Sequence, residues 1–181
     1  HGTNVFFPQT GFPGLVTIID FKRINYDGDK RIKIEAGASL KQLNLTCQKY
    51  ALTGCEFTSG IPGTVGGAIY GNAGAYGSAI ADRLVEAEIL TAGGKIKTVG
   101  SYYFQFDYRH SLLKKSNEIV LQATFEFQKD DPEKIKNRVQ EILKMRRNKL
   151  PSRDVFTAGS YFKNIVKPDG SREAAAIYLD A

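Results

Sequence analysis

The stretch 60-GIPGTVGGAIYGNAGAYG-77 holds seven of the chain's eighteen glycines within eighteen residues. Glycine is used where the backbone needs a positive φ or where another group must come close to the main chain. One or two glycines are typical of a turn, but seven, interleaved with alanines, exceed what a turn requires. Main-chain N–H groups left bare in this way form concavities that bind phosphates and the polar edge of a flat ring. The stretch therefore predicts a ligand lying against the backbone.

The spacing of these glycines excludes two familiar phosphate loops. No GK[ST] ending follows, as a Walker A loop would require, and Gly60, Gly63 and Gly66 are spaced GxxGxxG rather than as a GxGxxG dinucleotide fingerprint. A second, shorter glycine element, 1-HGTN-4, opens the chain. Two separate backbone cradles indicate a long ligand with a diphosphate at one end and a ring at the other. FAD has that shape.

Composition and charge set broad limits on the class of protein. The 181 residues are 42% hydrophobic and 24% charged, with a net charge of +6. Lysine and arginine are spread along the chain, and the densest cluster, 144-KMRRNK-149, falls at a predicted helix end, where cations complement the helix dipole. This charge fits anionic small molecules as well as it fits nucleic acid.

Three further features of the sequence predict where the protein is located and whether it is a fragment. Cys47 and Cys55 form no CxxC motif, which favours a reducing, cytoplasmic location. No apolar run approaches the roughly 18 residues that a membrane span needs. Because the chain starts at His1 and 171-SREAAAIYLDA-181 reads as a helix without an exit, we expect a fragment of a longer protein.

Hydrophobic periodicity predicts the strands and helices. Strands are predicted at 14–21, 30–36, 84–91, 95–99 and 118–128. Ser39 and Gln42 form a capping box for a helix that ends near Gly54. A second helix runs from Pro132 to Leu150, capped by Asp131, with a buried stripe of Ile135, Val139, Ile142 and Leu143. Strands and helices do not alternate regularly, so an α+β fold is expected rather than a doubly wound sheet.

Four segments resemble one known family in the same order. The long glycine stretch closely resembles the flavin-binding segment of the UDP-N-acetylenolpyruvoylglucosamine reductases, the MurB family. The segment 1-HGTN-4 resembles the end of that family's GxGSN diphosphate loop, 108-YRHS-111 its arginine motif, and 158-AGSYFKN-164 its AGS(x)FKN motif. Together they span almost the whole chain.

The resemblance implies a fold and an activity. The family's FAD-binding domain is an α+β unit of the vanillyl-alcohol-oxidase (PCMH-like) type, which implies an FAD-binding domain at 1–150 and the beginning of a substrate-binding domain at 151–181. The family uses NADPH to reduce FAD and passes the hydride to UDP-N-acetylglucosamine enolpyruvate, giving UDP-N-acetylmuramate for peptidoglycan synthesis. A monomer with no metal, nucleic-acid or membrane partner is expected. The tyrosine-bearing insertion of some members is absent, so the chain resembles the shorter subclass.

The resemblance also implies roles for individual residues. Arg109 is the expected cation at the substrate carboxylate, and Ser160 is the expected proton donor, with Lys163 as a neighbour that could stabilise its alkoxide. The family's third catalytic residue, a glutamate, is expected beyond Ala181. Tyr76, Arg146, Lys149 and Asn164 match substrate-binding positions. The positions carried over to FAD are Gly2, Thr3, Asn4, Ile61, Pro62, Gly63, Thr64, Gly67, Asn72, Gly74 and Ala75.

Alternative interpretations remain for the motifs and for the protein. Ile165 stands where the family usually has proline, and without the motifs Arg109 would be interpreted as a surface residue and Ser160 as part of a turn. Another FAD oxidoreductase of the same fold would use the same glycine loops. A non-catalytic basic domain that binds nucleic acid is disfavoured because no stripe of alternating aromatic and basic residues is present.

Overall fold

The computed structural model describes residue 5 and residues 8–149 and 162–178. The chain separates into two compact units, 1–149 and 150–181. The strands are β1 (Ile24–Tyr26), β2 (Arg31–Glu35), β3 (Leu52–Thr53), β4 (Gly74–Ala75), β5 (Ser78–Ala79), β6 (Leu84–Leu90), β7 (Ile96–Gly100), β8 (Ile119–Glu126), β9 (Gln128–Lys129), β10 (Ile165–Val166) and β11 (Arg172–Glu173). The helices are α1 (Leu40–Lys49), α2 (Val65–Gly71), α3 (Leu113–Ser116) and α4 (Pro132–Lys149).

The first unit is built on a five-stranded antiparallel sheet with the order β1-β2-β8-β6-β7. Alternation along the strands gives this sheet one apolar and one polar face. Ile32, Ile34, Ala87, Ile89 and Phe125 are buried on the inner face, against which α2 packs. The polar face carries paired charges, including Lys33 with Glu88 and Arg31 with Glu126. The architecture is α+β, as the sequence predicts.

Local sequence signals, such as helix caps and alternating apolar residues, predict most of the helices and strands correctly. The Ser39 hydroxyl accepts a hydrogen bond from the amide of Gln42 (3.1 Å), and the Gln42 side chain accepts one from the amide of Ser39 (2.9 Å), so the capping box of α1 is confirmed. The Asp131 carboxylate accepts from the amide of Glu133 (2.8 Å) at the start of α4. The predicted hairpin is β6–β7, and the predicted strand at 118–128 is β8.

Four details of the sequence prediction are wrong. The described part of 171–181 is no α-helix, because strand β11 is followed by a 3₁₀ turn at Ala175–Tyr178. Residues 14–21 form no strand: Leu15, Val16 and Ile18 are exposed, and within the run only Ile19 is partly buried and packs against the core. Helix α1 ends at Lys49, with Tyr50 as its C-cap, rather than near Gly54, and Ala51 takes the left-handed conformation (φ +53°). In α4 Ile135 and Val139 are buried, but Leu143 is 41% exposed.

A polar network fixes β7 against the start of β8. Lys97 Nζ donates to Tyr103 Oη (2.8 Å), and Tyr103 Oη donates to the Glu118 carboxylate (2.9 Å). Burial by itself would raise the pKa of Glu118, but the neighbouring Ser116 side chain, the hydrogen bonds from Tyr103 and Lys97 and the charge of Lys97 outweigh it and hold that pKa below its ordinary value. A lowered pKa means that this carboxylate stabilises the fold above about pH 4.5 and loses that effect as the pH falls further.

We expect Glu118→Gln to lower the free energy of unfolding at pH 7 by about 1 kcal/mol, because a charged acceptor with a buried side chain is lost. The difference from the parent protein should shrink as the pH falls below about 4.5. Urea unfolding at pH 7 and pH 4 measures both. Glu126→Gln, which removes an exposed ion pair, is the control and should change little at either pH. An equal loss of unfolding free energy at both pH values would contradict a lowered pKa for Glu118.

No helix in the described part of the chain is both long and apolar enough to cross a membrane.

Candidate functional site

The glycine-rich stretch forms a loop, helix α2 and a tight hairpin. Gly60 (φ +73°) and Gly63 (φ +149°) take backbone conformations that other residues rarely adopt. Thr64 is the N-cap of α2, and its hydroxyl accepts from the amide of Gly67 (3.3 Å). Ile61, Pro62, Gly63 and Thr64, all predicted to bind FAD, therefore lie together in the loop that enters the helix.

The glycines of this stretch serve two different purposes. A Cβ on Gly66 would lie 2.9 Å from the Cβ of Ala36, and one on Gly74 would lie 2.9 Å from the carbonyl oxygen of Ser78. Nothing lies within 4 Å of a Cβ on Gly63 or Gly71. Some glycines are thus required by contacts inside the protein, while others leave open space beside the backbone. The stretch therefore has an inner side, where Gly66 and Gly74 contact the protein, and an open side at Gly63 and Gly71.

Most backbone amides around the start of α2 already donate hydrogen bonds within the protein. The amides of Val65 and Gly66 donate to the carbonyls of Ala38 (2.8 Å) and Ala36 (2.9 Å). Among the described residues the amides of Gly63 and Thr64 donate no hydrogen bond. The main-chain amides available to an anion therefore lie in the loop before α2. The sequence had predicted that the whole glycine-rich stretch could bind the ligand, so the candidate site is smaller than predicted.

The end of the stretch is a hairpin whose tip faces a cleft. Strands β4 and β5 pair directly, and Tyr76 (φ +54°) and Gly77 (φ +80°) form a two-residue turn with both residues left-handed. Tyr76 is 41% exposed. The cleft has a volume of about 200 Å³ and is lined by Gly54, Glu56, Phe57, Tyr76, Ser78, Arg138, Glu141 and Ile142.

The arginine motif is held against the end of α2. Ser111 Oγ donates to the carbonyl oxygen of Tyr70 (2.7 Å), and Asn72 Nδ2 donates to that of Asp107 (2.9 Å). Arg109, between these two bonds, has a positive φ of +54° and an exposed side chain. Among the described residues its guanidinium makes no ion pair and lies 5.7 Å from the ring centre of Tyr108. The loop therefore presents a cation next to the glycine stretch.

Helix α4 brings a second cation to the loop. The side chain of Arg146 lies over Gly60, where a Cβ would come within 3.0 Å of Arg146 Nε. The predicted substrate ligand Arg146 thus meets the glycine loop, whereas Lys149 is exposed at the end of the helix. The absence of a side chain at Gly60 permits this close approach.

The remaining predicted site residues lie outside the described residues or in the second unit. Gly2, Thr3, Asn4 and the proposed proton donor Ser160 lie outside the described residues. Asn164 lies in the second unit, just before the β10–β11 hairpin. The roles of all these residues stay predictions.

The sequence interpretation missed the polar groups that support the site. Asn44 is buried and donates to the Cys55 carbonyl (3.0 Å) and the Ser59 hydroxyl (3.2 Å), which fixes the segment leading to Gly60. The carboxylate of Glu56 accepts from Thr53 Oγ1 and from the amide of Gly54 (both 2.7 Å). Ser111 stands in the quoted arginine motif, so the motif itself was the available signal.

Thiol and metal chemistry find no support in the described part of the chain. Burial, together with the neighbouring Cys55, raises the pKa of the Cys47 thiol, so it stays protonated at neutral pH. In residues 8–149 and 162–178 no group of three or more His, Cys, Asp and Glu side chains is placed to hold a metal ion.

Comparison with known proteins identifies the family. Residues 1–100 match the family model described as "FAD binding domain". This match covers more than half of the chain's 181 residues, and the chain belongs to this family of FAD-binding domains.

The more specific resemblance is also confirmed. The chain is 41% identical over 171 residues to the UDP-N-acetylenolpyruvoylglucosamine reductase of Clostridium botulinum (strain Eklund 17B / Type B), covering 94% of this chain and 55% of the relative. It is 37% identical over 166 residues to the protein of that name from Lactococcus lactis subsp. cremoris (strain MG1363), covering 92% of this chain and 55% of the relative.

A solved structure agrees with the fold. The crystal structure of UDP-N-acetylenolpyruvylglucosamine reductase (MurB) from Thermus caldophilus matches with a TM-score of 0.70 and 29% identity, covering 86% of this chain and 55% of that chain. The predicted α+β FAD-binding fold is therefore confirmed. The chain spans about half the length of the curated relatives it matches.

Proposed function

We propose that the chain is the FAD-binding part of an NADPH-dependent reductase that converts UDP-N-acetylglucosamine enolpyruvate to UDP-N-acetylmuramate. The names of its relatives support this substrate. The observation that carries the proposal is the exposed Arg109, held at the end of the helix that bears the open glycine side. A cation beside bare main chain suits a carboxylate substrate next to a flat cofactor. We further propose a monomeric, cytoplasmic enzyme.

The residues present fit FAD. The loop at Gly63 and Thr64 leaves two amides for a diphosphate, and the open side at Gly63 and Gly71 leaves room for a flat group. We propose that Ile61, Pro62 and Gly67 complete this surface. When bound, FAD would carry hydride from NADPH to the substrate.

Two members of the proposed FAD set also have internal roles. The side chain of Asn72 bonds to Asp107 and accepts from the amide of Ala81 (3.4 Å), and Gly74 is required by the close carbonyl of Ser78. Their part in FAD binding is therefore proposed through the backbone, as it is for Ala75.

The remaining residues have proposed roles toward the substrate. Addition of hydride puts negative charge on the carbon that bears the carboxylate, and a fixed cation stabilises such charge. We assign this role to Arg109 and the transfer of the proton to Ser160. Arg146 and Lys149 would meet the diphosphate of the sugar nucleotide, and Tyr76 and Asn164 would bind elsewhere on it.

The full-length protein that contains this chain should be yellow as purified, with absorbance near about 450 nm from bound flavin. NADPH should bleach this band, and the enolpyruvyl sugar nucleotide should restore it. A colourless protein that binds no added FAD would overturn the proposal. A flavoprotein that NADPH reduces but that this substrate does not reoxidise would point to a different substrate.

Neighbouring glycines provide a test of which side of the stretch faces FAD. Gly67 is exposed, and a Cβ there would meet only the Thr64 hydroxyl at 3.3 Å, whereas a Cβ on Gly66 would meet Ala36. We expect Gly67→Ala to leave the free energy of unfolding nearly unchanged, because improved helix propensity offsets this contact. Its Kd for FAD should rise about tenfold, since 1.4 kcal/mol of lost contact has that effect.

The matched variant Gly66→Ala should instead lose stability and keep its affinity for FAD. It should lower the free energy of unfolding of the FAD-free protein by about 1–3 kcal/mol, because the added methyl group overpacks α2 against Ala36. Chemical unfolding and flavin fluorescence titration measure the two quantities. Unchanged FAD affinity in Gly67→Ala would show that the open side of the helix does not face the cofactor.

A further inference from the structure

Ser111 connects the arginine motif to helix α2. The side chain is fully buried, at 0% exposure, and its hydroxyl donates to the carbonyl oxygen of Tyr70 at 2.7 Å. Tyr70 lies in the last turn of α2, where backbone carbonyls have no partner within the helix. The hydroxyl therefore satisfies a carbonyl at the helix end and fixes one end of the loop 107–111.

Asn72 fixes the other end of the same loop. Asn72 is the C-cap of α2 in a left-handed conformation (φ +43°), and its Nδ2 donates to the carbonyl oxygen of Asp107 at 2.9 Å. Both ends of the loop 107–111 are thus bonded to the end of one short helix, with Arg109 between them.

The loop is also closed on itself around Arg109. Asp107 and His110 exchange two backbone hydrogen bonds (3.2 and 3.0 Å), and Lys114 Nζ donates to the carbonyl oxygen of Arg109 (2.8 Å). Arg109 itself has φ +54°, a conformation that is costly for a residue with a side chain and persists only where the surroundings impose it. The hydrogen bonds of Ser111 and Asn72 are part of those surroundings.

We propose that Ser111 is a positioning residue: its hydrogen bond to Tyr70 holds the left-handed Arg109 where the guanidinium can meet the substrate carboxylate. This inference rests on the proposed function for its consequence in catalysis, but the hydrogen bond itself can be tested without substrate. Displacing a catalytic group by about 1 Å is enough to slow a reaction by up to about 100-fold.

The test compares full-length protein with its Ser111→Ala variant. Hydrogen exchange of the amides of His110 and Leu112 should become at least about tenfold faster, since the loop opens more readily. Reoxidation of the reduced enzyme by the enolpyruvyl sugar nucleotide should slow by about 10- to 100-fold, while reduction by NADPH changes less than about threefold. The control is Thr46→Val, which removes another hydroxyl bonded to a backbone carbonyl (2.8 Å to Gln42) and should change neither the loop exchange nor the reoxidation rate.

A double variant separates positioning from general destabilisation. If Ser111 acts through Arg109, Ser111→Ala should slow reoxidation no further in an Arg109→Ala background, whereas a merely structural role would give effects that multiply. Unchanged exchange in Ser111→Ala, or multiplying effects, would overturn the inference. A third outcome is possible: exchange becomes faster in Ser111→Ala, but Arg109→Ala reoxidises at the normal rate. That result would refute the proposed role of Arg109, and with it the catalytic consequence of the hydrogen bond.

Discussion

Arg109→Ala should slow reoxidation of the reduced enzyme by UDP-N-acetylglucosamine enolpyruvate by about 100- to 1000-fold, the usual cost of removing one pre-placed group that stabilises a developing anion. The side chain is exposed, makes no ion pair among the described residues, and is held in a loop bonded to α2. Its charge is therefore available to a ligand. FAD content and reduction by NADPH should stay close to those of the parent protein. Stopped-flow absorbance of the two half-reactions separates these effects.

Two further variants control for charge and for stability. Arg109→Lys keeps the charge but loses the planar, two-pronged donor geometry, so it should recover only part of the rate. Arg31→Ala removes an arginine that pairs with Glu126 on the polar face of the sheet and should leave both half-reactions unchanged. If Arg109→Ala slowed the two half-reactions equally, the assignment to the substrate carboxylate would be wrong.

Ser160→Ala should slow the same reoxidation by at least about 100-fold, within the range for loss of a general acid. This prediction rests on the motif 158-AGSYFKN-164, since Ser160 lies outside the described residues. Reduction by NADPH needs no proton from this group and should continue at the parental rate. In the parent protein reoxidation should be slower in D₂O, and the variant should respond differently if another donor replaces the serine.

The matched control for this variant is Ser171→Ala, a serine in an exposed turn of the same unit. It should leave both half-reactions unaltered. A Ser160→Ala enzyme with both half-reactions reduced to the same extent would exclude a specific role as proton donor.

The sequence predicted those elements whose signals lie within a few residues. The capping box at Ser39, the Asp131 cap before Pro132 and the alternation along β8 each state a local preference that the fold keeps. The glycine stretch was likewise recognisable, because a high density of glycine requires either unusual φ angles or close approach.

What the sequence did not reveal depends on residues far apart in the chain. The strand prediction at 14–21 was wrong because a strand needs a hydrogen-bonded neighbouring strand, which periodicity cannot supply. Whether a glycine faces Ala36 or open space is likewise decided by packing. The hydrogen bonds of Asn72 and Ser111 span 35 and 41 residues of sequence, so no local pattern predicts them.

The burial of both cysteines has a practical consequence for spectroscopy. Cys47 and Cys55 are 1% and 2% exposed, and they are the only thiols of this chain. A cysteine introduced at the exposed Thr98 on β7 would therefore react selectively with a maleimide dye, with no need to remove the native thiols first. Energy transfer between such a dye and the isoalloxazine would then report cofactor arrival and loss in real time.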